Sequence, residues 1–260
     1  MFFFLAVFSG QSSQGADLEY PEQPGYLLRS PFQKLRLESN QSHDLNAKYV
    51  RLSVIGQLEK NLLKESPNFQ EVKRAVEFAS RTTGVREDFL MGMLVVESDL
   101  GKNVGGCTYE EIEKDARSRY EQGYLSYRSW KTFLRREKVI KGLATDLNYD
   151  YRKLKVSCNP SRYAGTGGAM GIPQFMPDTW REYENRIAKA LGKESPDPWE
   201  LVDGVMAMAI KLSDVPGVVD HNLYAEKNAA KIYLSGNTSW RYNWYANKIQ
   251  YWAKNYHQLM

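Results

Sequence analysis

The chain has 260 residues, of which 42% are hydrophobic, 13% aromatic and 25% charged, and its net charge is +4. That composition excludes a dominantly disordered chain, and two cysteines with three histidines exclude a cysteine-rich zinc module or a disulfide-dense miniprotein. The mild basic excess fits an anionic polymer or surface as partner and is too weak to argue for nucleic acid.

Phe2 to Phe8 form an apolar run too short to span a bilayer. Small residues Ser13, Gly15 and Ala16 follow, so residues 1–16 read as a candidate signal peptide, although no Lys or Arg precedes the run. Export to the periplasm or the exterior is the expectation. No later stretch is long and apolar enough for a transmembrane helix, so the mature protein is expected to carry no transmembrane segment. Residues 17–44 contain Pro, Gln and Ser without clear periodicity and read as a linker or leader. One helical domain is expected from 45 to 260.

In that domain Leu45, Val50, Leu52, Val54, Ile55, Leu58, Leu62 and Leu63 recur at roughly helical spacing. A helix over Phe69 to Thr83 should stop at Gly84. The next, Glu87 to Leu100, is apolar nearly all round, which implies burial, and Gly101, Gly105 and Gly106 should end it.

Residues 107–158 differ in character, with two charged, Tyr-rich amphipathic pieces between Cys107 and Cys158. An even cysteine count in an exported chain suggests a disulfide. Its loop would contribute roughly 4 kcal/mol in the chain-entropy model. Two unrelated buried thiols are the alternative. The segment reads as a small helical insertion lobe closed by that bridge. It holds 12 basic and 8 acidic residues, a net of +4 that equals the charge of the whole chain. The excess positive charge should therefore lie on the lobe.

A Gly-rich stretch, 164–171, leads into Ile172-Pro173-Gln174-Phe175-Met176-Pro177. Asp178 is expected to cap a helix ending at Gly192. Asp197-Pro198-Trp199-Glu200 offers an N-cap, Pro at N1 and Glu at N3 for a helix to about Leu212. Helices over Asn222 to Leu234 and Ser239 to Tyr256 complete the chain. No run alternates long enough to propose a sheet, and the fold class is mainly α.

His43, His221 and His257 lack ligand spacing, so no metal is expected. The glycines at 165, 167 and 168 fail as a dinucleotide loop because Met170 stands where the third glycine belongs. No GxSxG elbow is present, and no cofactor is expected. Glu97 is more informative. Leu94, Met93 and Leu90 precede it by three, four and seven residues, so Glu97 shares the buried side of its helix. Desolvation there, with the negative end of the helix dipole, should raise its pKa toward what a general acid needs. The bland alternative is a helix-terminal carboxylate turned to solvent or paired with an Arg.

Glu97-Ser98-Asp99-Leu100-Gly101, followed by Gly168-Ala169-Met170-Gly171-Ile172-Pro173-Gln174-Phe175-Met176-Pro177-Asp178-Thr179-Trp180, resembles the lytic transglycosylases and their membrane-bound type B branch in particular. Ala229-Ala230-Lys231-Ile232-Tyr233, Ser235-Gly236-Asn237 and Tyr245-Ala246-Asn247-Lys248-Ile249 resemble that family's later helices. The likeness covers about residues 70–256. It lacks the anchoring Cys that lipoprotein members carry. The resemblance implies a lysozyme-like helical fold, with peptidoglycan glycan strands as the partner and no nucleic acid. A monomer is expected.

The resemblance further makes Glu97 the single catalytic acid/base. Ser98, Gln174, Phe175, Tyr233, Asn237 and Tyr245 would bind or frame the glycan. Trp180, Tyr163, Trp240 and Trp244 are candidates to stack on sugar faces, with core packing as the default. Asp99, two positions along the helix from Glu97, points another way and is a poor second carboxylate. The implied reaction cleaves the MurNAc–GlcNAc bond and closes a 1,6-anhydro ring. A goose-type-lysozyme-like muramidase and a non-catalytic glycan-binding scaffold are the alternatives.

Overall fold

The computed structural model describes residues 66–159 and 166–259. The candidate signal peptide, the linker, the helix expected over 45–63 and Tyr163 lie outside the described residues. What is described is mainly helical, as expected, with eight α-helices among the described residues. They are α1 Phe69–Thr83, α2 Glu87–Ser98, α3 Tyr109–Glu121, α4 Tyr127–Asp146, α5 Pro177–Leu191, α6 Leu201–Ser213, α7 Leu223–Ser235 and α8 Asn243–Asn255. Two short strands, β1 Cys107–Thr108 and β2 Lys155–Val156, pair antiparallel with Cys107 opposite Val156.

Local chemistry explains most helix ends. Asn68 and Glu71 exchange side-chain-to-backbone hydrogen bonds at the start of α1, and Thr108 and Glu111 do the same at α3, so two otherwise orphaned amides are satisfied at each end. Gly84, Gly192 and Gly236 close α1, α5 and α7 in the left-handed conformation that glycine adopts without strain.

Some boundaries differ from the sequence expectation. Helix α2 stops at Ser98 because Asp99 (φ 50°) and Leu100 (φ 57°) themselves turn left-handed, before any glycine is reached. Asp178 does not cap α5. Met176 is the N-cap and Pro177 opens the helix, while the Asp178 carboxylate is held by Arg135 and Arg136 of α4 at 3.2 and 3.0 Å. Asp197 does not cap α6 either. Its Oδ1 accepts from the Trp199 amide at 2.9 Å to make a turn, and α6 starts at Leu201. The last helix is interrupted: Ser239 caps a 3-10 turn, Trp240–Tyr242, and α8 begins after it.

The central element is α2. Phe89, Leu90, Met91, Met93 and Leu94 are all fully buried, as a helix apolar on every side must be. It lies against α8 at very close range. A Cβ on Gly92 would fall 2.5 Å from the Ile249 carbonyl oxygen and 2.8 Å from the Ala253 nitrogen. Glycine is thus required there by proximity, and the proximity sets which α8 residue meets the end of α2.

The segment between the cysteines is helical, and Cys107 and Cys158 form a disulfide. It shares the main core. Tyr109, Ile112, Ala116, Phe133, Ile140, Leu143 and Ala144 belong to one continuous apolar cluster with α2, α5 and α6. Trp180 is also fully buried in that cluster, so of the four aromatic stacking candidates it is a core residue.

Candidate active site

Four helix ends converge on one cavity of about 190 Å³. Its lining comprises Glu97 from the last turn of α2, Gln174, Phe175 and Met176 from the turn before α5, Thr179 of α5, Lys211 from the last turn of α6, and Tyr233 and Leu234 near the end of α7. Glu97 is the only carboxylate in that lining among the described residues. Asp99 is exposed and sits past the helix end, and Asp178 is engaged by two arginines.

The end of α2 is held in a tight reversal. Ser98 is 1% exposed, its hydroxyl donates to the Leu94 carbonyl at 3.4 Å, and its Oγ accepts from the Gly101 amide at 3.1 Å. Ser98 therefore fixes the backbone beside Glu97 and does not line the cavity. The antiparallel approach at Gly92 puts Tyr245 of α8 opposite Glu97. The Tyr245 hydroxyl donates a hydrogen bond to Glu97 Oε1. Burial pushes the Glu97 carboxyl up to about 7, and the Tyr245 hydrogen bond and the Lys211 charge hold it down against that push. The same burial, with the Glu97 charge, drives the Tyr245 hydroxyl well above its ordinary value. That phenol stays a donor.

The opposite wall is the Gly168–Met176 segment. Met170 and Phe175 exchange backbone hydrogen bonds at 2.9 and 3.2 Å, closing a tight loop between them. Gly171 (φ 58°) is confined by the Pro198 carbonyl oxygen, which would meet a Cβ at 1.8 Å. Gln174 also has a positive φ of 52°, an uncommon conformation for a residue with a side chain. Its Nε2 donates to the carbonyls of Gly171 at 2.8 Å and Val104 at 3.1 Å, which ties this loop to the segment after α2. The Tyr233 hydroxyl donates to the Pro173 carbonyl at 2.5 Å. Phe175 is buried and packs against Tyr233 with ring centroids 5.6 Å apart.

Of the residues singled out from sequence, Glu97, Gln174, Phe175 and Tyr233 thus meet at the cavity, and Tyr245 touches it through Glu97. Asn237 is not brought there. It is exposed in the turn after α7, where its side chain bonds the Ser235 carbonyl and the Ser239 amide. Trp240 and Trp244 are exposed at 76% and 62%. Lys211 was missed. The signal was available: it is one of two charged residues in the apolar run Leu201–Ser213, and it follows buried Gly204 and Ala207 by seven and four positions. No group of His, Cys, Asp and Glu able to hold a metal is present among the described residues.

Residues 58–209, more than half of the chain, match the family model described as transglycosylase SLT domain. No curated protein matched the chain. Among solved structures, a 36 kDa muramidase/transglycosylase is 21% identical (58% of this chain, 46% of that one, TM-score 0.41). The Escherichia coli lytic transglycosylase Slt35 in complex with bulgecin A is 20% identical (64% and 54%, TM-score 0.40). The soluble lytic transglycosylase SltB1 of Pseudomonas aeruginosa is also 20% identical (64% and 57%, TM-score 0.40). The chain spans about half the length of these structures.

Proposed function

We propose that this chain, which belongs to the transglycosylase SLT domain family, is a peptidoglycan lytic transglycosylase of the type B branch. It cleaves the β-1,4 bond between N-acetylmuramic acid and N-acetylglucosamine with Glu97 as its single acid/base. The observation that carries this reading is a desolvated carboxyl, poised near neutrality, the one carboxyl among the described residues that line a cavity framed by amide and aromatic groups. Glycosidases that rely on two carboxylates place the second within about 5–10 Å across the scissile bond. Asp99, two residues after Glu97, is exposed, and Asp178, next to the cavity-lining Thr179, is already paired with two arginines.

With a pKa of about 7, Glu97 is substantially protonated at neutral pH and can give its proton to the glycosidic oxygen as the bond from C1 breaks. The substrate's 2-acetamido group stabilises the cation left at C1. The Tyr245 hydroxyl and the Lys211 ammonium stabilise the carboxylate that results. That carboxylate then takes the proton of the muramoyl 6-hydroxyl, O6 bonds to C1, and the 1,6-anhydro ring closes. Glu97 returns to its starting state and no water is consumed. Gln174, Phe175 and Tyr233 form the wall against which the sugar lies.

The disulfide supports action in an oxidising compartment, the cell envelope or beyond it. No helix among the described residues is long and apolar enough to cross a membrane. The protein acts on the glycan strand as a monomer. Zymography on purified sacculi with wild type and Glu97→Gln tests the assignment. Clearing by wild type alone supports it, and equal clearing by both proteins contradicts it. Binding to sacculi without clearing by either supports the scaffold alternative.

A further inference from the structure

Stabilising the Glu97 carboxylate through its charge does not by itself account for the geometry of Lys211. It stands in the last turn of α6, where an exposed lysine would satisfy the helix dipole equally well. Instead its side chain turns inward to the cavity. The ammonium lies 4.6 Å from the centre of the Tyr233 ring and 5.2 Å from that of Phe175. Two ring faces fix its position and offset part of its desolvation. They supply no hydrogen-bond acceptor for three N–H donors. It forms no ion pair or hydrogen bond with the described residues. The carboxylates whose fields reach it are Glu182, Glu97 and Asp178. Glu182 is on the exposed face of α5, Glu97 is engaged by Tyr245, and Asp178 by Arg135 and Arg136. Burial lowers its pKa against the opposing pull of those carboxylates.

Resting on the glycan-strand reading of this site, we propose that Lys211 is a specificity residue that receives a carboxylate of the substrate, seated in the cavity between Glu97 and the Phe175–Tyr233 wall. An ammonium held over aromatic rings in a cavity lining, without a hydrogen-bond acceptor among the described residues, is suited to a charge-assisted hydrogen bond to an incoming anion. A neutral glucosamine chain offers none. A strand containing muramic acid offers two sources, the free lactyl carboxylate of a peptide-free sugar and the carboxylates of a stem peptide.

The test uses the full-length chain with Glu97→Gln to stop turnover, with and without Lys211→Met, and calorimetric binding of three probes. These are chitotetraose, the peptide-free tetrasaccharide of alternating N-acetylglucosamine and N-acetylmuramic acid, and the same tetrasaccharide carrying stem peptides. Lys211→Met should reduce affinity for an acidic probe relative to chitotetraose by about tenfold or more, the size expected for a lost bond between charged groups. Lys211→Arg should restore most of that preference. Loss with the peptide-free probe identifies the lactyl carboxylate, and loss only with the peptide-bearing probe identifies the stem. Equal changes for acidic and neutral probes, or no change at all, overturn the proposal while leaving the glycan reading intact. Failure of Glu97→Gln with intact Lys211 to bind any of the three overturns both. Thermal melting of each variant separates lost recognition from lost folding.

Discussion

The hydroxyl of Tyr245 on α8 donates its hydrogen bond to Oε1 of Glu97 at the end of α2, joining residues 148 positions apart. The pair exists because α2 and α8 touch at Gly92, five residues before Glu97. Backbone contact there fixes the register in which the two side chains meet. Tyr245→Phe removes the donor while keeping the ring. We expect kcat on sacculi to fall about 10- to 100-fold, the worth of a hydrogen bond to a charged group. The alkaline limb of the rate profile should move upward, because one of the influences holding the Glu97 pKa down is gone. An unchanged profile would detach Tyr245 from the chemistry.

Glu97 also sets a pH dependence of stability. Its folded pKa of about 7 lies above the ordinary value of 4.5. Burial therefore costs nothing while the group is protonated in both states, below about 4.5; the cost grows as pH rises from there to about 7 and is constant above it. Glu97→Gln removes the ionisation. The variant should match wild type in acid and exceed it above neutrality by about 3 kcal/mol. Chemical denaturation from pH 4 to pH 9 measures this, and parallel stability curves would contradict a desolvated carboxyl.

Gly92→Ala should be harmful despite the higher helix propensity of alanine. In an ordinary helix interior the change stabilises by roughly 0.5–1 kcal/mol. Here the new methyl meets the Ile249 carbonyl at 2.5 Å, and the two helices must part. A loss of about 1–3 kcal/mol is typical of such overpacking. Tm and kcat should fall together, because parting α2 from α8 also parts Tyr245 from Glu97. A Tm equal to or above wild type would show that the contact yields easily.

The Cys107–Cys158 bridge closes 51 residues of chain that share the main core. Cys107→Ser should lower stability by about 4 kcal/mol in the chain-entropy account. Differential scanning calorimetry without reductant reads this directly. No shift in Tm would leave the bridge without a stabilising role.

Much of this was legible in the chain because its signals are local. Glycines at 84, 192 and 236 end helices where the backbone turns left-handed, and Asn222 caps α7. The apolar run 89–96 announced a central helix, and Glu97 at its end announced a desolvated acid. What the chain concealed depends on partners distant in sequence. Asp178 resembles a cap until the α4 arginines reach it, and Asp197 resembles one until its own turn claims it. Asn237 shares a motif with the site yet spends its side chain on its own turn. Lys211 is easily passed over, because a lysine near a helix end is ordinarily solvated, although it shares the apolar side of its helix. Only the convergence of α6, α7 and the Phe175 loop turns it into part of a cavity wall.

The central claim is that one carboxyl both breaks the glycosidic bond and closes the ring. Mass spectrometry of the muropeptides released from purified sacculi tests it most directly. The account predicts products ending in 1,6-anhydro-N-acetylmuramic acid, each one water lighter than its hydrolysed counterpart, and absent with Glu97→Gln. Products that carry the added water, with a reducing end open to borohydride, would contradict it and establish a hydrolase in its place.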